Sequence, residues 1–169
     1  MELILPNRKY HASYLEAIQE YKPHNIKAYA FYDSDKDDIF EQFENDRQGI
    51  NLPENYVAGT ALWLVDNGEF IGEIVIRHSL TPALERFGGH IGYGVRYSAW
   101  NKGCGTIMLS MALDYARENF DFQKVLITCN DDNYGSARVI EKNGGVLMDK
   151  IENVINAKEA LTRRYWIYL

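Results

Sequence analysis

Val95-Arg96-Tyr97-Ser98-Ala99-Trp100-Asn101-Lys102-Gly103-Cys104-Gly105-Thr106 is the stretch whose reading decides the fold. The apolar run His90–Val95 on its near side predicts a strand. On its far side Ile107, Met108, Met111, Ala112 and Tyr115 recur at helical spacing, which predicts a helix to about Asn119. The polar segment between them closes on Gly-x-Gly-Thr. Strand, glycine turn and helix in that order make an anion-binding element. The first N–H groups of the helix have no intrahelical partner, and the helix dipole adds partial positive charge there. Gly103 and Gly105 lack a Cβ, so a phosphate can approach the backbone closely. A Gly-x-Gly alone is a weak signature, and the flanking pattern has to make it specific.

Upstream, Thr60–Val65 and Phe70–His78 flank the turn-rich Asp66-Asn67-Gly68-Glu69 and predict a β-hairpin. Ser79–Gly89 reads as a loop, either mobile or lining a site. Leu3–Leu5 predicts a first strand. Tyr10, Tyr14, Ile18 and Tyr21 predict a helix over Lys9–Tyr21 that Pro23 stops. Asn25–Tyr32 is ambiguous between helix and strand. Ser34 or Asp35 is the expected cap of a helix carrying Ile39, Phe40 and Phe43, and Gly49–Asn55 is a loop.

Downstream, Lys124–Cys129 is an apolar run between polar flanks and suits a buried strand. Asp132 or Asn133 caps a helix through Val139 and Ile140, which Asn143-Gly144-Gly145 ends. Val146–Ile151 and Leu161–Leu169 predict the last two strands, with Arg163-Arg164 at a strand edge. The order β, helices, β-hairpin, β, α, β, α, β, β is a mixed α/β (α+β) arrangement. Repeats and linkers are absent, so residues 1–169 are expected to form a single domain.

The chain is 46% apolar and 25% charged, with a net charge of −6, the profile of a soluble globular protein rather than a nucleic-acid binder. No apolar run approaches the ~20 residues of a membrane span, and Met1–Tyr10 does not read as a signal peptide. Cys104 and Cys129 sit in no metal spacing and read as reduced thiols of a cytoplasmic protein.

Taken together, Trp100-Asn101-Lys102-Gly103-Cys104-Gly105 and the later Asn133-Tyr134-Gly135-Ser136, followed by Val139–Gly145, resemble the two signatures of the GNAT superfamily of acyl-CoA N-acyltransferases. The first corresponds to Gln/Arg-x-x-Gly-x-Gly/Ala after a central strand, the second to Asn-x-x-Ser/Ala after the next. Gly89–Arg96, Val139–Gly145 and Arg164-Tyr165-Trp166-Ile167 are similar to a group of bacterial acetyltransferases. The resemblance implies a mixed, mostly antiparallel central sheet flanked by helices and splayed beside the central strand. It implies acetyl-CoA as co-substrate, no metal, and an amine of a small molecule or peptide as acceptor. Carried over by position, the backbone of Val95 contacts the pantetheine arm. The N–H groups of Lys102, Gly103, Cys104, Gly105 and Thr106 hold the pyrophosphate, and Asn133 and Ser136 face the cofactor across the splay. The chain departs from the pattern twice. Trp100 stands where the family has Gln or Arg. Ile140 stands where a tyrosine often protonates the departing thiolate.

Acetyl transfer by direct attack requires a neutral amine, a polarised carbonyl and a proton for the thiolate. The candidate bases are Glu73, on the hairpin strand with Ile71 and Val75 on its face, and His90, which opens the central strand. His78 ranks third. Each is equally well read as a hydrogen-bonded residue at a strand end. Tyr134 and Tyr93 are candidate acids by residue type, in a chain of 12 tyrosines. Cys104 reads as a small residue between two glycines rather than a nucleophile, although a helix N-terminus lowers a thiol pKa. The expected activity is acetyl-CoA-dependent N-acetylation of a primary amine; the alternative is a non-catalytic acyl-CoA-binding or regulatory domain. The turn lacks the spacing of a P-loop or dinucleotide fingerprint. Pairing through the last strand would give a homodimer.

Overall fold

The computed structural model describes residues 1–26, 38–155 and 158–169. The expected hairpin forms as β2 (Gly59–Asp66) and β3 (Glu69–Arg77). Asn67 and Gly68 take φ of 48° and 85°, the two positive values that a two-residue primed turn demands. Around this hairpin the described residues build a seven-stranded sheet in the order β1-β2-β3-β4-β5-β7-β6, with β1 at Glu2–Ile4, β4 at Ile91–Val95, β5 at Lys124–Asn130, β6 at Val146–Ile155 and β7 at Lys158–Tyr168. Every neighbouring pair is antiparallel except β4 and β5.

Helices cover both faces. α1 (His11–Gln19) and α2 (Ile39–Gln48) lie on one, α4 (Cys104–Asn119) and α5 (Tyr134–Lys142) on the other. The two resulting cores differ in chemistry. On the α4 side Met108, Leu109 and Leu113 meet Leu62, Ile74, Ile76, Val125 and Ile127. On the α1 side the core is aromatic. Trp63, fully buried, has Tyr14 stacked on it at 4.9 Å and Phe43 and Phe70 edge-on at 5.6 and 5.2 Å. Truncating such a residue to alanine costs about 3–5 kcal/mol.

Several elements depart from the sequence reading. The first helix is shorter, His11–Gln19 between two 3₁₀ turns, and Pro23 sits inside the second turn (Lys22–His24). The cap of α2 is Asp38, whose Oδ1 accepts the N–H of Phe40 at 2.9 Å. The expected caps Ser34 and Asp35, and most of the ambiguous Asn25–Tyr32, fall outside the described residues. Ser79–Gly89 contains a short helix, α3 (Pro82–Arg86), capped by Thr81. β6 and β7 run four and three residues beyond their expected inner ends, because ladder pairing carries Glu152–Asn153 and Glu159–Ala160 into strand despite weak propensity. β7 is also interior, between β5 and β6, so Arg163 and Arg164 do not mark an edge and the last strand offers no edge for a dimer. Their charges are met by Asp131 and Asp149, at 2.6 and 2.7 Å.

Candidate active site

β4 and β5 share a single ladder position, Ile91 opposite Ile127, and then part. The start of the pair is closed tightly. Gly89 bridges to Ile127, and a Cβ there would lie 2.4 Å from the Leu126 carbonyl oxygen. Beyond it, the N–H of Arg77 donates to the carbonyl of His90 at 2.7 Å, and that of Arg96 to Ile71 at 2.9 Å. Strand alternation between these bonds turns the peptide groups of Gly92 and Gly94 toward β3 and those of Tyr93 and Val95 toward the gap. The central strand therefore presents an open backbone edge where β5 has left it.

The glycine turn stands at the end of that gap. Gly103 is the N-cap of α4 in the left-handed region (φ 81°), with nothing within 4 Å of the position a Cβ would take. No side chain caps the helix. Among the described residues the N–H groups of Lys102, Gly103, Cys104 and Gly105 have no acceptor, whereas Thr106 donates to the Gly103 carbonyl at 3.0 Å. Four N–H groups of the five expected are thus available to an anion. Open space, uncapped donors and no carboxylate in the first helical turn fit a pyrophosphate. Gly105 brings α4 close to both neighbours, its Cβ position lying 3.4 Å from Val139 and 3.6 Å from Val95. Cys104 is buried in the α4 core, as a small packing residue would be.

Ser136 connects the two sides of the gap. Its Oγ lies 2.9 Å from the Tyr93 hydroxyl. Burial pushes the Tyr93 phenol well above its usual range, more than the Ser136 hydrogen bond lowers it, so the hydroxyl remains a proton donor. Asn133 caps α5, its Oδ1 accepting the Ser136 N–H at 3.0 Å. The motif asparagine thereby orients the serine. Ile140 is fully buried in the core, so its position offers packing and no acid.

The candidate bases and acids separate clearly. Glu73 is 3% exposed on the α1 face, opposite Gly94 across the β3–β4 ladder, and its Oε2 accepts the Trp63 indole N–H at 2.8 Å. His90 lies at the closed end of the gap. Its Nδ1 accepts the Leu126 N–H at 2.9 Å, so the neutral ring carries its proton on Nε2 and has no lone pair to offer. Burial, with the charge of Arg77 second, holds its pKa down to about 4. His90 is a structural clasp between β4 and β5. His78 is tied to Thr60 at 2.9 Å. Tyr134 is 62% exposed, and its ring faces Arg163 of β7, on the far side of β5 from β4. The structure gathers Glu73, Val95 and Tyr93–Ser136 around the central strand and leaves His90, His78 and Tyr134 outside that group.

Two residues missed by the sequence reading complete the site. The Tyr21 hydroxyl and the Trp100 indole N–H both donate to the Val95 carbonyl, the latter at 2.9 Å. Tyr21 is delivered by the end of α1, which is clamped to β4 through Arg96 and Glu20; Glu20 also accepts the Ser98 N–H at 2.9 Å. These partners lie 76 and 78 residues apart in the chain, a distance that no local pattern spans.

The family model of the acetyltransferase (GNAT) domain matches residues 8–146. No curated protein matches the chain by sequence. Among solved structures, the microcin C7 self-immunity acetyltransferase MccE in complex with acetyl-CoA and AMP is 19% identical, covering 99% of this chain and 91% of its own, with a TM-score of 0.73. A spermidine N-acetyltransferase, SpeG, from Vibrio cholerae is 17% identical over 99% and 95%, with a TM-score of 0.64. The acetyltransferase from Salmonella typhimurium that modifies the N-terminal serine of ribosomal protein L7/L12 is 14% identical over 99% and 94%, with a TM-score of 0.71. At these identities the likeness is one of fold, and it includes the mostly antiparallel sheet with helices on both faces.

Proposed function

The chain belongs to the GNAT acetyltransferase family, and from that premise we propose that it is an acetyl-CoA-dependent N-acetyltransferase of the cytoplasm, acting by direct attack of a primary amine of a small molecule or peptide. The observation that carries this reading is the parting of β4 from β5 after one ladder position, beside the uncapped start of α4. A backbone edge and a phosphate cradle stand at the two ends of one gap. An amine acceptor is in keeping with the fold neighbours named for spermidine and for an N-terminal serine.

When bound, acetyl-CoA supplies an activated acetyl thioester. Lys102, Gly103, Cys104 and Gly105 hold the pyrophosphate with their N–H groups. Val95 presents its N–H to the gap, where it polarises the acetyl carbonyl. Glu73 takes the proton from the attacking amine on the α1 side. The Tyr93–Ser136 pair gives a proton to the departing thiolate, in place of the tyrosine absent at Ile140. Direct attack needs no nucleophile from the protein, so orientation carries much of the rate.

The non-catalytic acyl-CoA-binding reading draws on two observations. Ile140 removes the usual acid, and the Val95 carbonyl is already held by Tyr21 and Trp100. Calorimetric titration with acetyl-CoA, followed by free-thiol release across a panel of amines, separates the readings. Binding with turnover is the expected result. Binding without turnover on a broad panel moves the assignment to the regulatory domain, and no binding overturns both.

A further inference from the structure

One residue lining the cavity between α1 and β4 carries a polar group that the reaction above leaves unused. Tyr14 is 2% exposed, and its hydroxyl has no hydrogen-bond partner among the described residues. A buried hydroxyl left unpaired gives up its hydrogen bonds to water with nothing in return. Protein interiors meet that cost with an ordered water where there is room and a second polar partner. Here the geometry is fixed. The Tyr14 ring is stacked on Trp63 with 14° between planes and meets the Phe70 edge at 5.1 Å, and Trp63 in turn holds Glu73. Tyr14, Tyr21, Glu73, Gly94, Val95 and Arg96 line one cavity of about 10 Å³, with the Arg96 guanidinium turned to Glu20 and the Phe70 carbonyl. That is the lower limit for a single water.

We propose that Tyr14 and Glu73 hold one buried water in this cavity, and that Tyr14 is through it a positioning residue for the Glu73 base. The inference rests on the reading of Glu73 as the base. Tyr14 keeps its proton, because burial first and the charge of Glu73 second push its phenol far above the ordinary range. It donates that proton in a hydrogen bond to the water, and the water donates to the Glu73 carboxylate. In the transfer, an N–H bond of the acceptor ammonium breaks and its electron pair stays on nitrogen. The proton bonds to the water oxygen while a water proton passes to Glu73. The products are the neutral amine, a regenerated water and a neutral carboxylic acid.

The test is a crystal structure of the protein and of Tyr14→Phe at a resolution that shows ordered water, with pH profiles of kcat/KM for both and for Glu73→Gln. The expected result is a water within hydrogen-bond distance of Tyr14 Oη and Glu73 that is absent from Tyr14→Phe. The phenylalanine variant should lose about tenfold in kcat/KM. Its acidic limb should move to higher pH, because the carboxylate has lost a donor that favoured its charged form. A dry cavity in the wild-type protein overturns the proposal. So does a Tyr14→Phe profile that superimposes on wild type while Glu73→Gln is inactive. Glu73→Gln retaining the wild-type profile removes the base itself, and the positioning role falls with it whatever the cavity holds.

Discussion

The Tyr93 hydroxyl lies 2.9 Å from Ser136 Oγ, joining the central strand to the first turn of α5 across the gap where β4 and β5 separate. Tyr93 also donates to the Ser136 carbonyl at 3.2 Å. If this pair protonates the leaving thiolate, Tyr93→Phe and Ser136→Ala should each lower kcat about 10- to 100-fold while leaving the acetyl-CoA KM within about twofold. The double variant should be little worse than the poorer single one, since the two groups act as a unit. Steady-state kinetics on the first amine found to turn over would check it. Multiplicative losses would show two independent roles.

Gly103→Glu should abolish acetyl-CoA binding and leave the fold intact. Space is not the obstacle, since nothing lies within 4 Å of the Cβ position. The left-handed backbone there costs an L-residue about 1–2 kcal/mol. Gly103→Ala isolates that strain and should keep most of the affinity. Calorimetry with both variants, next to their melting curves, distinguishes blocking of the cradle from loss of structure. Undiminished binding by Gly103→Glu would move the pyrophosphate elsewhere.

His90 predicts a pH dependence of stability with a defined sign. Its folded pKa is held down to about 4, from an ordinary value of 6.5, by burial and then Arg77. Between these values the unfolded chain binds a proton that the folded protein does not. Stability is therefore full above about 6.5 and falls as pH drops toward 4. His90→Asn keeps an acceptor for the Leu126 N–H without the titration. Denaturant midpoints between pH 7 and 4 should decline on the order of 1–2 kcal/mol less for this variant than for wild type. Parallel declines would assign the acid sensitivity to other groups.

The hairpin, the central strand, the glycine turn and the Asn133–Ser136 cap were all legible in the sequence, because each is set by residues within a few positions of one another. The turn at Asn67-Gly68 and the periodicity of α4 are local physics. What the sequence reading missed depends on contacts between distant segments. His90 looked like a base until the Leu126 N–H, 36 residues on, occupied its nitrogen. Tyr14 and Tyr21 share one face of the helix expected from the sequence, and only the packing of α1 on β3 and β4 separates a buried, unpartnered hydroxyl from one on the Val95 carbonyl. The interior position of β7 follows from β6 folding back outside it, an order that two similar strand patterns cannot reveal. Trp100 is the exception. Its partner is only five residues away, yet residue type alone marks only a departure from the family pattern where the structure shows a bond to the Val95 carbonyl.

Trp100 also yields the prediction that bears most directly on cofactor entry. The residue is 43% exposed, its ring packed against Tyr97 at 4.8 Å and Tyr21 at 5.9 Å, and its indole N–H donates to the Val95 carbonyl at 2.9 Å. Val95 is the position at which the pantetheine arm is expected to bond the backbone. An amide N–H of the arm and the indole N–H then compete for one carbonyl, which Tyr21 already shares. Trp100→Phe keeps the aromatic contacts and removes the competing donor. It should bind acetyl-CoA about 2- to 10-fold more tightly, the worth of one net hydrogen bond of roughly 0.5–1.5 kcal/mol. Calorimetry on the variant measures this, and the change in tryptophan emission when wild type is titrated reports whether the indole moves. Weaker binding by Trp100→Phe would mean that the indole is itself a contact for the cofactor, standing in for the Gln or Arg of the family pattern.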